Sequence, residues 1–233
     1  AMGGIPTNVH AEVLMDNDTV VPGLFAAGEC ACVSVHGANR LGTNSLLDLI
    51  VFGRRAGKDI VRFVKETKGI MPVQPDAADK VKARIDKILS RTKGESVGKV
   101  REDLQQMMME NVSVFRTEET LATASAQIKK LRERASNVAI QDKGKEFNTD
   151  LLDALEIEFI VDYAQTVVES AYARKESRGA HAREDYPKRD DKNWHKHTLC
   201  WLDDAGNVEL KYKSVNMKLA DQDPRFAPKE RKY

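Results

Sequence analysis

Between Pro22 and Lys65 a short apolar run, a glycine-rich stretch and the start of a long apolar helix follow one another, and this succession restricts the chain to an α/β arrangement there. Gly23-Leu-Phe-Ala-Ala27, bounded by Pro22 and Gly28, reads as a strand buried on both faces. The stretch from Gly28 to Gly53 holds four glycines, and Leu46, Leu47, Leu49, Ile50, Val51 and Phe52 lead it into Arg54–Lys65. That part reads as a mostly buried helix with Thr43 or Asn44 as N-cap. A strand, a tight turn and the free N–H groups of a helix start together form an anion-binding arrangement. Arg40, placed in the turn, offers a planar fork of donors for a carboxylate or a phosphate.

Residues alone leave two readings of this stretch. Either it is such a site, or Gly37, Gly42 and Gly53 only shape a tight connection and Arg40 is a solvated surface charge. The longer strings bear on the choice. His36-Gly-Ala-Asn-Arg-Leu-Gly-Thr-Asn-Ser-Leu-Leu-Asp48 resembles the signature of the succinate dehydrogenase and fumarate reductase flavoprotein subunits. So do Met2-Gly-Gly-Ile-Pro-Thr7, Val21-Pro-Gly-Leu-Phe-Ala-Ala-Gly-Glu29, Arg174-Lys-Glu-Ser-Arg-Gly-Ala-His181 and Arg189-Asp-Asp-Lys-Asn-Trp194. They occur in the family's order and run nearly from one end of the chain to the other.

Composition removes several other classes. Lys+Arg 37 against Asp+Glu 36 leaves a net charge of +1, without the basic excess of a nucleic-acid binder, so no nucleic-acid partner is expected. No apolar run approaches the roughly 18 residues that span a bilayer. The 41% hydrophobic content over 233 residues supports a real core in one large or two modest domains. Cys30, Cys32 and Cys200 cannot all pair, and reduced thiols are expected. Trp194-His-Lys-His197 lacks a nearby third ligand, so no metal site is expected there.

The remaining chain divides by pattern. Thr7–Met15 reads as a strand, Asp16-Asn-Asp18 as a turn, and Val20–Ala27 as the path back into the sheet. From about Asp76 to Lys175 the periodicity is helical: Val81, Ile85, Ile88 and Leu89, then Val100, Leu104, Met107 and Met108, share faces. Thr117-Glu-Glu-Thr120 starts a third helix, with Leu121, Ala124, Ile128, Leu131 and Ala135 as its stripe. Asn148-Thr-Asp150 starts a fourth, through Leu155, Phe159, Val161, Tyr163 and Val167, with Gly179 as its left-handed stop. Four such helices with short links predict an antiparallel bundle in which the Met107–Met109 run fills core. Alternation on either side of Asp203-Asp-Ala-Gly206 predicts a hairpin of 197–202 and 207–212.

The resemblance implies an α/β fragment, the closing part of an FAD-binding Rossmann-like domain, over residues 1–66. An α-helical bundle domain over 76–176 and a small irregular α+β region over 177–233 follow. Family members open with a Gly-x-Gly-x-x-Gly turn that this chain does not contain, so the chain reads as a fragment, inert alone, whose other flavoprotein segments lie upstream. The implied chemistry is oxidation of succinate to fumarate, or its reverse, at FAD. Arg40 is the implied catalytic residue, and His36, Gly37, Ala38 and Arg40 bind substrate. Glu29 accepts from FAD hydroxyls, while Asn44, Ser45 and Leu46 present a helix start to the flavin. Arg178 and His181 tie the last helix to the flavin domain. The implied partners are an iron–sulfur subunit and membrane anchor subunits. They would hold the protein at the cytoplasmic face of a bacterial inner membrane or the mitochondrial matrix face. Succinate dehydrogenase is the nearest resemblance; fumarate reductase, L-aspartate oxidase and a non-catalytic helical interaction module are the alternatives.

Overall fold

The computed structural model describes residues 4–67, 69, 72–227 and 229. Its first strands are short because side chains interrupt them. Strand β1 (Ile5–Pro6) pairs in parallel with β4 (Ala31–Cys32), and β2 (Glu12–Leu14) pairs antiparallel with β3 (Val20–Phe25). The strand expected over Thr7–Met15 is confined to its last third. Asn8 draws the N–H groups of His10 and Glu12 to its side-chain oxygen at 2.9 and 3.1 Å, and Ala11 takes a φ of 65°. Such local side-chain bonds compete with a ladder.

Two expectations for this region are corrected. Residues 23–27 are not buried on both faces: Gly23 and Leu24 are exposed, and β3 sits in a two-stranded sheet that among the described residues is met by helix α1 at Phe63. The apolar run 46–52 is not buried either. Helix α1 (Asn44–Thr67) leans on the Gly28–Cys30 turn and on β3, where Phe63 meets Phe25 edge-to-face at 6.2 Å, and it leaves Leu46 63% and Ile50 69% exposed.

The helical expectation holds more fully. Helices α2 (Asp79–Ser90), α3 (Val97–Val112), α4 (Glu118–Ala135) and α5 (Thr149–Ala173) enclose one core. Thr117 and Thr120 close a reciprocal capping box at the start of α4, and Asn148 accepts from the Leu151 N–H at 2.7 Å at the start of α5. Val100, Leu104, Met107, Leu121, Ala124, Ile128, Leu131 and Ala135 are all buried. Within the methionine run only Met107 is buried; Met108 packs at the core's edge and Met109 is exposed. On α5 the buried stripe is Ala154, Ile157, Val161, Ala164, Val168 and Ala171, so Phe159 and Tyr163 stand off it, exposed, as does Val81 on α2.

Gly179 does not stop α5. The helix ends at Ala173, where Arg174 turns extended, and Gly179 takes its φ of 58° in a separate turn. Strand β5 (Phe115–Arg116), from the α3–α4 link, pairs in parallel with β6 (Ala182–Arg183). A short helix, α6 (Asp191–Trp194), leads into the expected hairpin of β7 (Lys196–Leu202) and β8 (Val208–Ser214), in continuous register from Lys196 opposite Ser214 to Leu202 opposite Val208. A short helix, α7 (Lys218–Gln222), follows. Among the described residues no helix is long and apolar enough to cross a membrane.

Candidate functional site

The loop between β4 and α1 carries His36, Gly37, Ala38 and Arg40, and its path depends on three left-handed positions, Ser34, Gly37 and Thr43, at φ 68°, 63° and 68°. It is braced from three sides. His36 Nε2 meets Asp48 Oδ2 of α1 at 2.6 Å, with Asp48 buried and its second oxygen unpartnered. Ser34 Oγ meets His197 Nε2 of β7 at 2.7 Å. The Ala180 N–H donates to the Ala38 carbonyl at 3.2 Å, and a Cβ on Gly179 would fall 2.4 Å from that same oxygen. Gly179 is therefore glycine because two backbones touch there.

Behind that contact lies a network of charge. Glu176 is fully buried and accepts from Arg174 Nη1 at 2.6 Å, from Arg178 Nε and Nη2 at 2.8 and 3.0 Å, and from the Asp190 N–H at 2.8 Å. Burial opposes its ionisation, but Arg178, the Asp190 N–H and Arg174 outweigh that and hold the carboxyl below its usual range. His181 receives Arg116 Nη1 on Nδ1 at 2.7 Å. A guanidinium only donates, so Nδ1 is the acceptor and the ring proton sits on Nε2, which donates to the Arg174 carbonyl at 3.2 Å. Burial pushes His181 down to about 4, with the Arg116, Arg174 and Arg183 charges adding to it. Arg178 and His181 thus brace the turn after α5, but among the described residues their side chains bond no group of residues 4–67, and the expected tie to that region is made by the Ala180 N–H instead.

A cleft of about 2010 Å³ opens between the loop and this network. Glu29, His36, Gly37 and Ala38 line it from one side, and Arg116 and His181 from the other. Arg40, Asn44, Ser45 and Leu46 do not line it. Arg40 stands half-exposed further along the loop and makes no ion pair among the described residues. Asn44 and Ser45 are half-buried and Leu46 is exposed at the start of α1, where the Asn44 and Leu46 N–H groups bond back to Leu41 and Thr43 at 3.3 and 3.1 Å. The turn carrying Glu29 lies hard against this helix, since a Cβ on Gly28 would reach within 2.3 Å of Leu49. Asp48, Gly179 and Ala180 are the positioning residues that sequence reasoning missed. The pairings of Asp48 with His36 and of Gly179 and Ala180 with Ala38 have no spacing signature.

These groups leave an acceptor and open backbone at the cleft. Glu29 is an exposed acceptor, a helix start lies beside it, and Gly37 has nothing within 4 Å of where a Cβ would stand. Residues 1–46 match the model of an FAD binding domain, and residues 101–233 match the model described as fumarate reductase flavoprotein C-term. FAD is accordingly the cofactor. The succinate dehydrogenase flavoprotein subunit of Rickettsia bellii is 46% identical over 100% of this chain and 40% of its own length. The mitochondrial succinate dehydrogenase [ubiquinone] flavoprotein subunit of Oryza sativa subsp. japonica is also 46% identical, over 100% of this chain and 38% of its own. E. coli quinol fumarate reductase superposes with a TM-score of 0.82 at 38% identity, covering 91% of this chain and 36% of the solved one. The chain spans about two fifths of the length of the curated relatives it matches. On the match over 101–233, together with that over 1–46, the chain belongs to the succinate dehydrogenase and fumarate reductase flavoprotein family of oxidoreductases.

Proposed function

We propose that the chain forms part of the flavoprotein subunit of a succinate dehydrogenase. The observation that carries this reading is the loop 33–43, braced by Asp48, His197 and Ala180, beside the exposed carboxylate of Glu29 on one cleft. In this reading residues 1–66 close the FAD-binding domain, 76–176 form the helical domain and 177–233 the C-terminal region. FAD, when bound, would supply the oxidant, taking one hydride that carries both electrons from succinate while the second hydrogen leaves as a proton. Glu29 accepts hydrogen bonds from its hydroxyls, and the start of α1 at Asn44, Ser45 and Leu46 turns its positive end toward the negative charge of the reduced form. Arg40, free of acids among the described residues, holds a substrate carboxylate in a charge-assisted fork. His36, Gly37 and Ala38 set the backbone against which the substrate lies.

Activity belongs, in this proposal, to the complete flavoprotein and not to residues 1–233 alone. Electrons pass on to an iron–sulfur subunit and a quinone, and membrane anchor subunits hold the assembly at the inner membrane, on the cytoplasmic or matrix face. The exposed apolar face of α1 is the surface that the remaining flavoprotein segments cover. The test is Arg40→Lys in the complete flavoprotein, with flavin absorbance and succinate-dependent dye reduction measured on the same sample. Flavin should be retained while turnover falls by about 100-fold, because a lysine keeps the charge and loses the fork. Near-normal turnover overturns the assignment.

A further inference from the structure

Two arginines meet at the short β5–β6 pair, Arg116 opposite Arg183, and the fold treats them differently. Arg183 is 1% exposed and saturated with acids. Asp185 accepts from its Nε and Nη2 at 2.8 and 2.7 Å, and Glu118 accepts from Nη2 at 2.8 Å. Its Nη1 donates to the carbonyls of Tyr172 and Arg174 at 3.3 Å. Arg116 is half-buried and pairs with no carboxylate among the described residues. Its Nε donates to the carbonyls of Val112 and Ser113 at 3.1 and 3.0 Å, and Nη1 to His181 at 2.7 Å, all of them neutral acceptors.

A guanidinium cannot give up its proton in a protein. Three bonds to neutral groups, two of them carbonyls at the negative end of α3, therefore hold a full positive charge in place next to a second guanidinium with only partial compensation, and such a charge favours an anion beside it. Nη2 of Arg116 has no partner among the described residues, and Arg116 lines the cleft across from Gly37 and Ala38. We propose that Arg116, held in orientation by His181, Val112 and Ser113, is an anion-binding point on the cleft wall that takes the carboxylate of a free small carboxylic acid. One partly compensated charge and one free amino group suit a monoanionic carboxylate better than a doubly charged phosphate.

The experiment uses the complete flavoprotein carrying this chain, with malonate as a dicarboxylate probe followed by titration calorimetry. It is run in the Arg40→Gln background, which removes the other proposed carboxylate ligand and separates the result from turnover. Malonate binding should persist in Arg40→Gln and weaken about tenfold or more when Arg116→Gln is added. Adding Arg116→Lys instead, which keeps the charge and loses the Nη2 donor held in place by the other bonds, should weaken it several-fold, and this variant carries the test if the glutamine protein does not fold. Absence of malonate binding in Arg40→Gln overturns the proposal. So does binding that both Arg116 substitutions leave unchanged. An acidic side chain of the flavoprotein seated on Arg116 would give the first of those outcomes.

Discussion

Helix α1, of 24 residues, buries only Asp48 and Ala56, whereas α5, of 25 residues, buries seven. Both begin on a polar residue and carry abundant leucine, isoleucine and valine. The difference lies in what surrounds them. Helix α5 is packed by α3 and α4, whose stripes were written in the same stretch of chain, while among the described residues α1 meets a turn, a two-stranded sheet and the loop residues Val9, His10 and His36. An apolar face states that something must cover it and is silent about what does. The bundle contains its own cover within residues 79–173; the N-terminal region does not among the described residues.

The largest expected effect tests that contrast directly. Ile128→Ala or Ile157→Ala, each at a fully buried position, should cost about 3 kcal/mol in denaturant unfolding of the chain. Ile50→Ala on α1 should cost less than about 0.5 kcal/mol. Equal costs would mean that α1 is packed as tightly as the bundle, and the comparison fails.

The next effect falls at the seam between the two regions. Gly179→Ala puts a Cβ 2.4 Å from the Ala38 carbonyl at a φ of 58°, so the turn or the loop must move. A cost of about 2 kcal/mol is expected. In the complete flavoprotein this should appear as lost flavin and turnover, with the far-ultraviolet spectrum of the bundle unchanged. Normal flavin content with full activity would show that the loop does not depend on its neighbour.

Within the N-terminal region, Asp48→Asn weakens the bond to His36 and should cost about 1 to 2 kcal/mol. Urea midpoints of the two proteins measure it. A change near zero would mean the loop is held by Ala180 and His197 alone.

The smallest effect is in pH dependence. His181 titrates near 4 in the fold against about 6.5 unfolded, so between those values the unfolded chain binds more protons and stability rises with pH. The contribution is fully present above about 6.5 and lost as pH falls toward 4. His197, also pushed down by burial, slopes the same way. Asp185, pulled down to about 2 chiefly by its bond from Arg183, acts in a separate window below about 3.9. Urea midpoints from pH 4 to 7 should therefore slope less in His181→Gln than in the parent. Parallel slopes would remove His181 as the titrating group.

What the sequence determined alone was whatever depends on neighbours a few residues apart. The box at Thr117 and Thr120, the cap at Asn148, the stripe from Leu121 to Ala135 and the turn between β7 and β8 all rest on such short-range contacts, and each appears where its pattern lies. The motif strings named the family for the same reason, since they can be read in line. Tertiary structure decided which apolar faces are buried, and so Leu46, Ile50 and Phe159 came out exposed despite their periodicity. It also decided how the site is held. His36 finds Asp48 across 12 positions, Arg116 finds His181 across 65 and Ser34 finds His197 across 163, and no local propensity encodes a partner that only packing brings within hydrogen-bond distance.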